Sequence, residues 1–161
     1  MKNLRTGIGF DVHRLVKDRD LTLGGIKIDF ERGLDGHSDA DVLIHALMDA
    51  LLGAASMGDI GNIFPDSDPK YKNISSLSLL NEVLTNLENK SFEIINIDTT
   101  IIAQVPKLAP HIPQMKKTLL NCLKIDNECL NIKATTTEHL GFTGREEGIA
   151  ALATVLLYKN P

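Results

Sequence analysis

The stretch from residue 38 to residue 52, S-D-A-D-V-L-I-H-A-L-M-D-A-L-L, constrains the fold of this chain more than any other. Leucines and alanines recur there at helical spacing, behind residues that are common at helix starts. The pattern predicts an amphipathic helix with Ser38 or Asp39 as its N-cap and Asp41 in an acidic first turn. The remaining elements are expected to pack around this helix.

Polar residues at helical and strand spacing form a candidate metal site. Asp41, His45 and Asp49 stand four apart, so they are expected to project from one helix face, away from most of the leucines. Asp11 and His13 share a face of the strand predicted over residues 4–12. Together with His45 they would give zinc three ligands and one open position, as in catalytic zinc sites. The alternative is a surface pair at a strand end.

Composition narrows the class of protein. With 161 residues, 43% apolar and 24% charged, the chain fits one domain spanning residues 1–161. The formal charge of −4 disfavours a nucleic-acid surface, so a small anionic ligand needs metal ions, backbone amides or local positive charge. Cys122 and Cys129 lack metal-binding spacing and fit reduced thiols. Without a signal peptide or a long apolar run, we expect a cytoplasmic protein with no membrane association.

The order of the other patterns indicates an α+β fold, with a mixed β-sheet covered by helices on one face. The predicted elements are a hairpin over 21–30 with a Gly24-Gly25 turn, a helix over 74–87, a strand over 92–104, a helix over 113–123, a strand over 130–136 and a final apolar helix over 148–158.

Three segments between these elements are candidates for ligand binding. The acidic loop over 57–69 is either a binding loop or a solvated connection. The proline-rich turn over 105–113 could hold a nucleobase edge or be only a stiff linker. The threonines before Glu138 suit phosphate oxygens and a hard cation such as magnesium.

Seven motifs, in order along nearly the whole chain, carry a family resemblance. They are G-F-D-V-H at 9–13, H-S-D-A-D-V at 37–42, G-D-I-G at 58–61, F-P-D at 64–66, I-I-A-Q at 101–104, P-H-I-P at 110–113, and K-A-T-T-T-E with G-F-T-G-R at 133–145. The chain thereby resembles the 2-C-methyl-D-erythritol 2,4-cyclodiphosphate synthase family of the non-mevalonate isoprenoid precursor pathway. This resemblance favours the metal site and the binding loop over their alternatives.

The resemblance implies a homotrimer around a central sheet-lined core, with active sites between subunits. The family's reaction takes 4-diphosphocytidyl-2-C-methyl-D-erythritol 2-phosphate, whose 2-phosphate attacks the β-phosphate and expels CMP, leaving a cyclic diphosphate. It implies a metal-dependent phosphorus-oxygen lyase with Zn²⁺ and with Mg²⁺ or Mn²⁺. Because the nucleophile belongs to the substrate, such a protein acts by positioning and by stabilising charge.

The resemblance also assigns roles to residues. Zinc would be held by Asp11, His13 and His45, the second metal by Glu138, and the transition state would be stabilised by His37 and Thr136. The other substrate-binding residues that it implies are Ser38, Asp59, Ile60, Gly61, Phe64, Pro65, Asp66, Ser67, Asp68, Ala103, Gln104, Val105, Pro106, Lys107, Leu108, Ala109, Thr135, Thr137, Phe142 and Arg145, with Asp11, His13 and Glu138 also contacting substrate. Of these, 103–109 and Thr135 would come from the adjacent subunit as a cytidine pocket.

One further hypothesis concerns the orientation of the histidine ligand. Asp49 or another acceptor is expected to bind the free ring nitrogen of His45. Two departures from the family pattern, His139 and Leu152, bear on isoprenoid diphosphate binding in a central cavity more than on the chemistry.

Two other functions remain open. One is a zinc-dependent phosphohydrolase, and the other is a non-catalytic trimeric nucleotide-binding module. The chain also lacks the cytidylyltransferase domain of some members, so a single-function enzyme is expected.

Overall fold

The computed structural model describes residues 3–65, 67–71 and 73–161. Its strands are β1 (Leu4–Lys17), β2 (Leu21–Leu23), β3 (Ile26–Ile28), β4 (Arg32–Leu34), β5 (Phe92–Ile102), β6 (Leu130–Thr135) and β7 (Gly148–Lys159). Its α-helices are α1 (Val42–Ala54), α2 (Ile60–Ile63), α3 (Ser76–Asn89), α4 (Ile112–Leu123) and α5 (Gly141–Gly144), with short 3₁₀ turns at Pro69–Tyr71 and Asn127–Cys129.

Five strands form one mixed sheet in the order β4-β1-β7-β5-β6. The β5-β6 pair is parallel and the other three pairs are antiparallel. β2 and β3 form a separate hairpin, whose Gly24 and Gly25 take positive φ values of 59° and 75°. The predicted single-domain α+β fold with a mixed sheet is confirmed, as are the hairpin and the helices now assigned to α1, α3 and α4.

The central helix α1 packs closely on β1 and β7. A Cβ atom added to Gly9 would lie 1.9 Å from the carbonyl oxygen of Ala46, and one added to Gly7 would lie 2.0 Å from that of Ala50. Glycine at these two positions of β1 therefore permits the close approach of helix and strand. The odd-numbered residues of β1, including Asp11 and His13, face α1.

No helix of the described residues packs on the side of β1 that faces away from α1. Along β1 the even-numbered residues Leu4, Ile8, Phe10 and Val12 are 43 to 69% exposed. On β7 the same alternation leaves Leu152 partly exposed while Ala151 and Ala153 are buried. An apolar sheet face is thus open along the middle of the chain's largest sheet.

The predicted final helix over 148–158 is wrong, because these residues form the central strand β7, and Leu152 therefore lies on a strand. β7 pairs with β1 on one side and β5 on the other. Alanines suit a helix by intrinsic propensity, but small side chains also allow α1 to pack on a central strand. An uninterrupted apolar run is typical of a strand buried on both faces as well as of a buried helix, so the run does not exclude a strand.

The N-cap assignment is also wrong. The cap of α1 is Asp41, whose carboxylate accepts a hydrogen bond from the Ile44 amide at 3.1 Å. The same carboxylate accepts from the amides of Gly24 and Gly25 at 3.0 and 2.7 Å, so it joins the hairpin turn to the helix. Asp41 is fully buried, which contradicts its predicted place on a polar helix face. The tertiary contact with the hairpin selects the cap among three suitable residues.

Within the described ranges, no helix is long and apolar enough to cross a membrane. Both cysteines are free thiols, as expected. β5 ends at Ile102, two residues before the predicted end, and only part of it is buried.

Candidate functional site

A cluster of two histidines and one aspartate lies between β1 and α1. Asp11 Oδ2 is 3.0 Å from His13 Nε2 and 3.1 Å from His45 Nδ1, and the two histidine nitrogens are 3.1 Å apart. These three atoms form a small triangle of the donor types that zinc prefers, two imidazole nitrogens and one carboxylate oxygen. The sequence prediction that this trio converges is confirmed.

The local fold orients each member of the triangle. Asp11 and His13 share a face of β1 because residues two apart in a strand point the same way. His13 Nδ1 donates to the carbonyl oxygen of Asp35 at 2.6 Å, which directs its other nitrogen into the cluster. His45 projects from the first turn of α1 and is 8% exposed.

The predicted contact between Asp49 and His45 is wrong. The Asp49 carboxylate instead accepts from the amide of Ile60 at 2.8 Å and so holds the start of α2. The free nitrogen of His45 lies against the hydroxyl groups of Ser38 and Ser76. The hydroxyl groups of Ser38 and Ser76, and not Asp49, are therefore the candidates for the other acceptor that the hypothesis allowed.

The electrostatics of the cluster favour an ionised aspartate. Burial opposes the charge on Asp11, but hydrogen bonds and charges from His13 and His45 outweigh burial and hold its pKa well below the ordinary value. Burial likewise opposes protonation of His13, but the Asp11 carboxylate raises the His13 pKa. A negative charge close to imidazole nitrogens suits a divalent cation.

The cluster opens into a cavity of about 240 Å³. The cavity is lined by Asp11, His13, Gly36, His37, Ser38, His45, Met48, Ile60, Gly61, Phe64, Tyr71 and Leu79. Its charged end is the cluster of Asp11, His13 and His45, and its other walls are largely apolar. The structure thus brings eight predicted site residues to one cavity: Asp11, His13, His37, Ser38, His45, Ile60, Gly61 and Phe64.

His37 has an unusual environment in this cavity. Its Nε2 atom is buried and has no hydrogen-bond partner among the described residues. A buried polar atom without a partner is costly, and His37 also lines the cavity, so its ring is a candidate for binding a polar ligand there.

Other predicted residues of the acidic loop lie beside the cavity rather than in its wall. Asp59 caps α2 by accepting from the Asn62 amide at 2.9 Å, and Asp68 accepts from the Lys70 amide at 3.0 Å. Pro65 is partly buried and Ser67 is exposed. Asp66, also predicted to bind substrate, lies outside the described residues.

The two segments predicted to bind cytidine and the second metal lie side by side but do not line the cavity. The amide of Ala103 donates to the Thr135 carbonyl at 3.0 Å, and the His139 amide donates to Gln104 Oε1 at 3.1 Å. Thr136 Oγ1 donates to Glu138 Oε1 at 2.6 Å. Of the rest, Leu108 is buried, Val105 and Pro106 are partly buried, and Lys107 and Ala109 are exposed.

The remaining predicted residues, Thr137, Phe142 and Arg145, follow β6 and do not line the cavity of the cluster. Phe142 lines a second depression together with Val12, His13, Arg14, Leu15, Glu147 and Gly148. Arg145 is exposed and pairs with Glu147 at 3.0 Å. Thr137 donates to the Leu140 carbonyl at 2.6 Å, a bond within its own turn.

Sequence reasoning missed several residues of the cavity wall, and it also missed Ser76, which contacts His45. Met48 follows His45 by three residues, so helical spacing could have placed it on the same face. Tyr71 packs edge-on against Phe64 at 5.3 Å between ring centroids, and Ser76 starts α3. No local pattern distinguishes Tyr71 or Ser76 from ordinary core residues, because only the tertiary fold brings them to the site.

The fold and this donor set define a single-domain α+β protein with a potential divalent-metal site beside a ligand cavity. Comparison with known families narrows this class. The chain belongs to the YgbB family, whose family model matches residues 4–158.

Similar proteins match over nearly the full length. The chain is 61% identical over 154 residues to a protein of Clostridium botulinum (strain Kyoto / Type A2) named 2-C-methyl-D-erythritol 2,4-cyclodiphosphate synthase, covering 96% of this chain and 99% of that protein. A Clostridium acetobutylicum protein of the same name is 59% identical, with the same coverage.

Two solved structures show the same fold. IspF of Plasmodium falciparum in its CDP complex is 33% identical with a TM-score of 0.86, covering 99% of each chain. The bifunctional IspDF of Campylobacter jejuni is 46% identical with a TM-score of 0.93, and the match covers 98% of this chain and 42% of that longer one.

Proposed function

We propose that this chain catalyses the reaction for which its relatives are named, the conversion of 4-diphosphocytidyl-2-C-methyl-D-erythritol 2-phosphate into the 2,4-cyclodiphosphate and CMP. The observation that carries the proposal is the Asp11, His13 and His45 triangle, which opens into a cavity that His37 also lines. This arrangement has metal ligands and a polar group for a phosphate in one place. The reaction needs no nucleophilic side chain from the protein, because the attacking phosphate belongs to the substrate.

The metal ligands are Asp11, His13 and His45 for zinc and Glu138 for magnesium or manganese. The donor set of the triangle supports zinc, and the carboxylate of Glu138 supports a hard cation. When bound, these metals supply Lewis-acid stabilisation of the charge on the phosphates. The positive charge of the metals would also allow a chain of formal charge −4 to bind a substrate with several phosphate charges.

The protein's own groups position the two reacting phosphates. His37 lines the cavity, and its ring can bind a phosphate oxygen there as charge develops. Ser38 is next to it, and its hydroxyl group also lines the cavity. Thr136 acts with Glu138, to which it is already hydrogen-bonded. Holding both ends of one substrate in register removes much of the entropic barrier.

The rest of the substrate is bound by two groups of residues. The methylerythritol part contacts Ile60, Gly61 and Phe64 in the cavity, together with Asp59, Pro65, Ser67 and Asp68 beside it and with Asp66, which lies outside the described residues. The cytidine part is bound by residues 103–109 with Thr135 and Thr137, while Phe142 and Arg145 complete the site. Tyr71, Met48 and Leu79 add apolar wall that excludes water from the reacting groups.

The active enzyme is a homotrimer in which these groups come from neighbouring subunits. Two observations support this assembly. The apolar face with Ile8 at 69% and Phe10 at 53% exposure needs a partner surface, and residues 103–109 do not reach the cavity of their own chain. We place the enzyme in the cytoplasm, which its free thiols support.

Metal removal tests the proposal. The wild-type enzyme, treated with a zinc chelator, is expected to lose CMP release from the cytidine diphosphate substrate and to regain it on addition of Zn²⁺ in the presence of Mg²⁺. The Asp11→Asn variant is expected to bind zinc weakly, while Asp126→Asn, at an exposed residue whose side chain makes no capping bond, serves as the control. Unchanged CMP release after complete zinc removal would contradict the metal assignment.

A further inference from the structure

The environment of the His45 ring has two distinct sides. Nδ1 faces Asp11 Oδ2 and His13 Nε2, both at 3.1 Å. Nε2 faces the hydroxyl oxygen of Ser76 at 3.0 Å and that of Ser38 at 3.2 Å. A neutral imidazole carries one hydrogen, and a nitrogen that binds metal must be free of it. A metal at the triangle therefore requires the hydrogen to be on Nε2.

The hydroxyl group of Ser76 is committed as a donor elsewhere. Ser76 is fully buried, and its Oγ donates a short hydrogen bond to Asp39 Oδ1. An ionised carboxylate can only accept, so the single hydroxyl hydrogen of Ser76 points to Asp39. The Ser76 oxygen is left with lone pairs, and it can only accept from His45.

Ser38 does not impose the same constraint. Its oxygen already accepts from the Ala40 amide at 3.1 Å, but its own hydrogen has no fixed acceptor among the described residues. Its hydroxyl can therefore act as donor or acceptor, and it lines the cavity. Of the two serines, only Ser76 has a hydrogen-bond direction that is set from outside the site.

We infer that Ser76 and Asp39 are positioning residues that hold His45 with its hydrogen on Nε2 and its Nδ1 free for the metal. The path of donors runs from His45 Nε2 to Ser76 Oγ and from Ser76 Oγ to the Asp39 carboxylate. It links the loop before α1 to the first residue of α3. This inference rests on the proposed metal role of His45 and adds two residues that do not touch metal or substrate.

Asp39 is itself held in place by backbone amides. Its Oδ2 accepts from the Ser76 amide at 3.0 Å, and its Oδ1 accepts from the Asp41 amide at 3.3 Å. The first bond makes Asp39 the acceptor at the start of α3, where the N-cap residue Ser75 makes no capping bond with its side chain. Removing the Asp39 side chain would thus also affect the helix, so smaller changes are needed for the test.

Ser76→Ala removes only the hydroxyl group. It leaves intact the hydrogen bond that the Ser76 backbone N–H donates to Asp39. We expect zinc affinity, measured by competition with a chelating dye, to fall by about 10- to 100-fold. Ser75→Ala is the matched control, since it removes a neighbouring exposed hydroxyl with no capping bond, and its zinc affinity should be unchanged. Unfolding of the metal-free proteins by urea separates loss of zinc affinity from loss of stability.

Asp39→Asn tests the direction of the hydrogen bonds at constant shape. Asparagine can keep the 3.0 Å bond from the Ser76 amide only by placing its NH₂ group against Ser76 Oγ. The Ser76 hydrogen then loses its acceptor and competes with the hydrogen on His45 Nε2. We expect zinc affinity to fall in this variant as well, and the His45 Nε2–H proton resonance of the zinc-loaded protein to shift in both variants but not in Ser75→Ala.

A fourth variant separates failure of this inference from failure of the metal assignment. If His45→Ala binds zinc as tightly as the wild type, the metal role of His45 is wrong and the inference falls with it. If His45→Ala loses zinc but Ser76→Ala and Asp39→Asn bind it like the Ser75→Ala control, the positioning role alone is overturned. If metal-free Ser76→Ala and Asp39→Asn are less stable but bind zinc as tightly as the wild type, the positioning role is likewise overturned.

Discussion

At the scale of single residues, buried polar groups determine how the site is built. Asp11, His13 and His45 could be predicted to converge, because strand and helix periodicity fix their faces and the motifs fix their identity. Ser76 could not be predicted, because its role depends on a contact between α3 and the loop before α1. The role of Asp41 could not be predicted for the same reason, because its carboxylate accepts hydrogen bonds from the Gly24-Gly25 turn, which is distant in sequence.

The titration of Asp41 gives a prediction about pH. Burial raises the pKa of Asp41 from 3.8 to about 6, and the charge of Asp39 acts in the same direction. Hydrogen bonds from the amides of Gly25, Ile44 and Gly24 lower this pKa but do not outweigh burial. Between these pH values the folded state holds a proton that the unfolded state has released. The contribution of Asp41 to stability is therefore full below pH about 4 and is lost as pH rises through about 6.

The test compares the wild type with Asp41→Asn, which has no carboxyl to titrate. In urea unfolding of metal-free protein, the free energy of unfolding of the wild type relative to the variant should fall by up to about 3 kcal/mol between pH 4 and 6, from the shift to about 6. Titrating groups that do not interact with Asp41 are common to both proteins and cancel, so the difference reports on Asp41 and the neighbouring Asp39. A difference that is constant over this range would show that Asp41 is ionised throughout.

At the scale of elements, the contact between α1 and β1 sets the geometry of the cluster. The site needs a strand that carries Asp11 and His13 and a helix that carries His45 at close distance. Most elements were predictable from periodicity and turn residues, but the apolar run of β7 was assigned to a helix. Periodicity alone does not separate a central strand from a buried helix, because both present apolar residues on all sides.

Gly9→Ala should disturb both the fold and the site. The new Cβ would lie 1.9 Å from the Ala46 carbonyl oxygen, so α1 and β1 must separate. We expect a loss of stability of about 1 to 3 kcal/mol or more in urea unfolding and weaker zinc binding in the dye competition.

The matched control for this change is Gly53→Ala. Gly53 lies on α1, the helix that packs against Gly9. It is exposed and has open space around an added Cβ. This substitution should stabilise the protein by up to about 1 kcal/mol, because alanine favours the helix. A Gly9→Ala variant with the stability and zinc affinity of the wild type would contradict the role given to the close packing.

At the scale of the whole molecule, the residues of the proposed site do not all meet at one cavity within a single chain. Residues 103–109 and 135–138 carry predicted ligand contacts, yet they do not line the cavity of their own chain. The proposal of a homotrimer rests on the family resemblance, because no local sequence pattern encodes a subunit interface. The exposed apolar face of β1 is the structural feature that supports it.

Phe10→Glu tests the assembly. Phe10 is 53% exposed on this face, and a buried charge there would be unpaired. We expect sedimentation analysis to show a trimer for the wild type and a monomer for the variant, with loss of CMP release. Thr85→Glu, at an exposed position of α3, should remain trimeric and active. A wild-type monomer with full activity would overturn the proposed assembly.

The most direct measurement is phosphorus NMR of the wild-type protein with the cytidine diphosphate substrate, Zn²⁺ and Mg²⁺, beside a zinc-chelated sample. The proposed function predicts that the substrate signals give way to CMP and a cyclic diphosphate, without inorganic phosphate, and only in the sample with zinc. Release of inorganic phosphate or a linear product would identify a phosphohydrolase instead. Intact substrate in the zinc-loaded sample would identify a nucleotide-binding module, and either result would contradict the cyclisation.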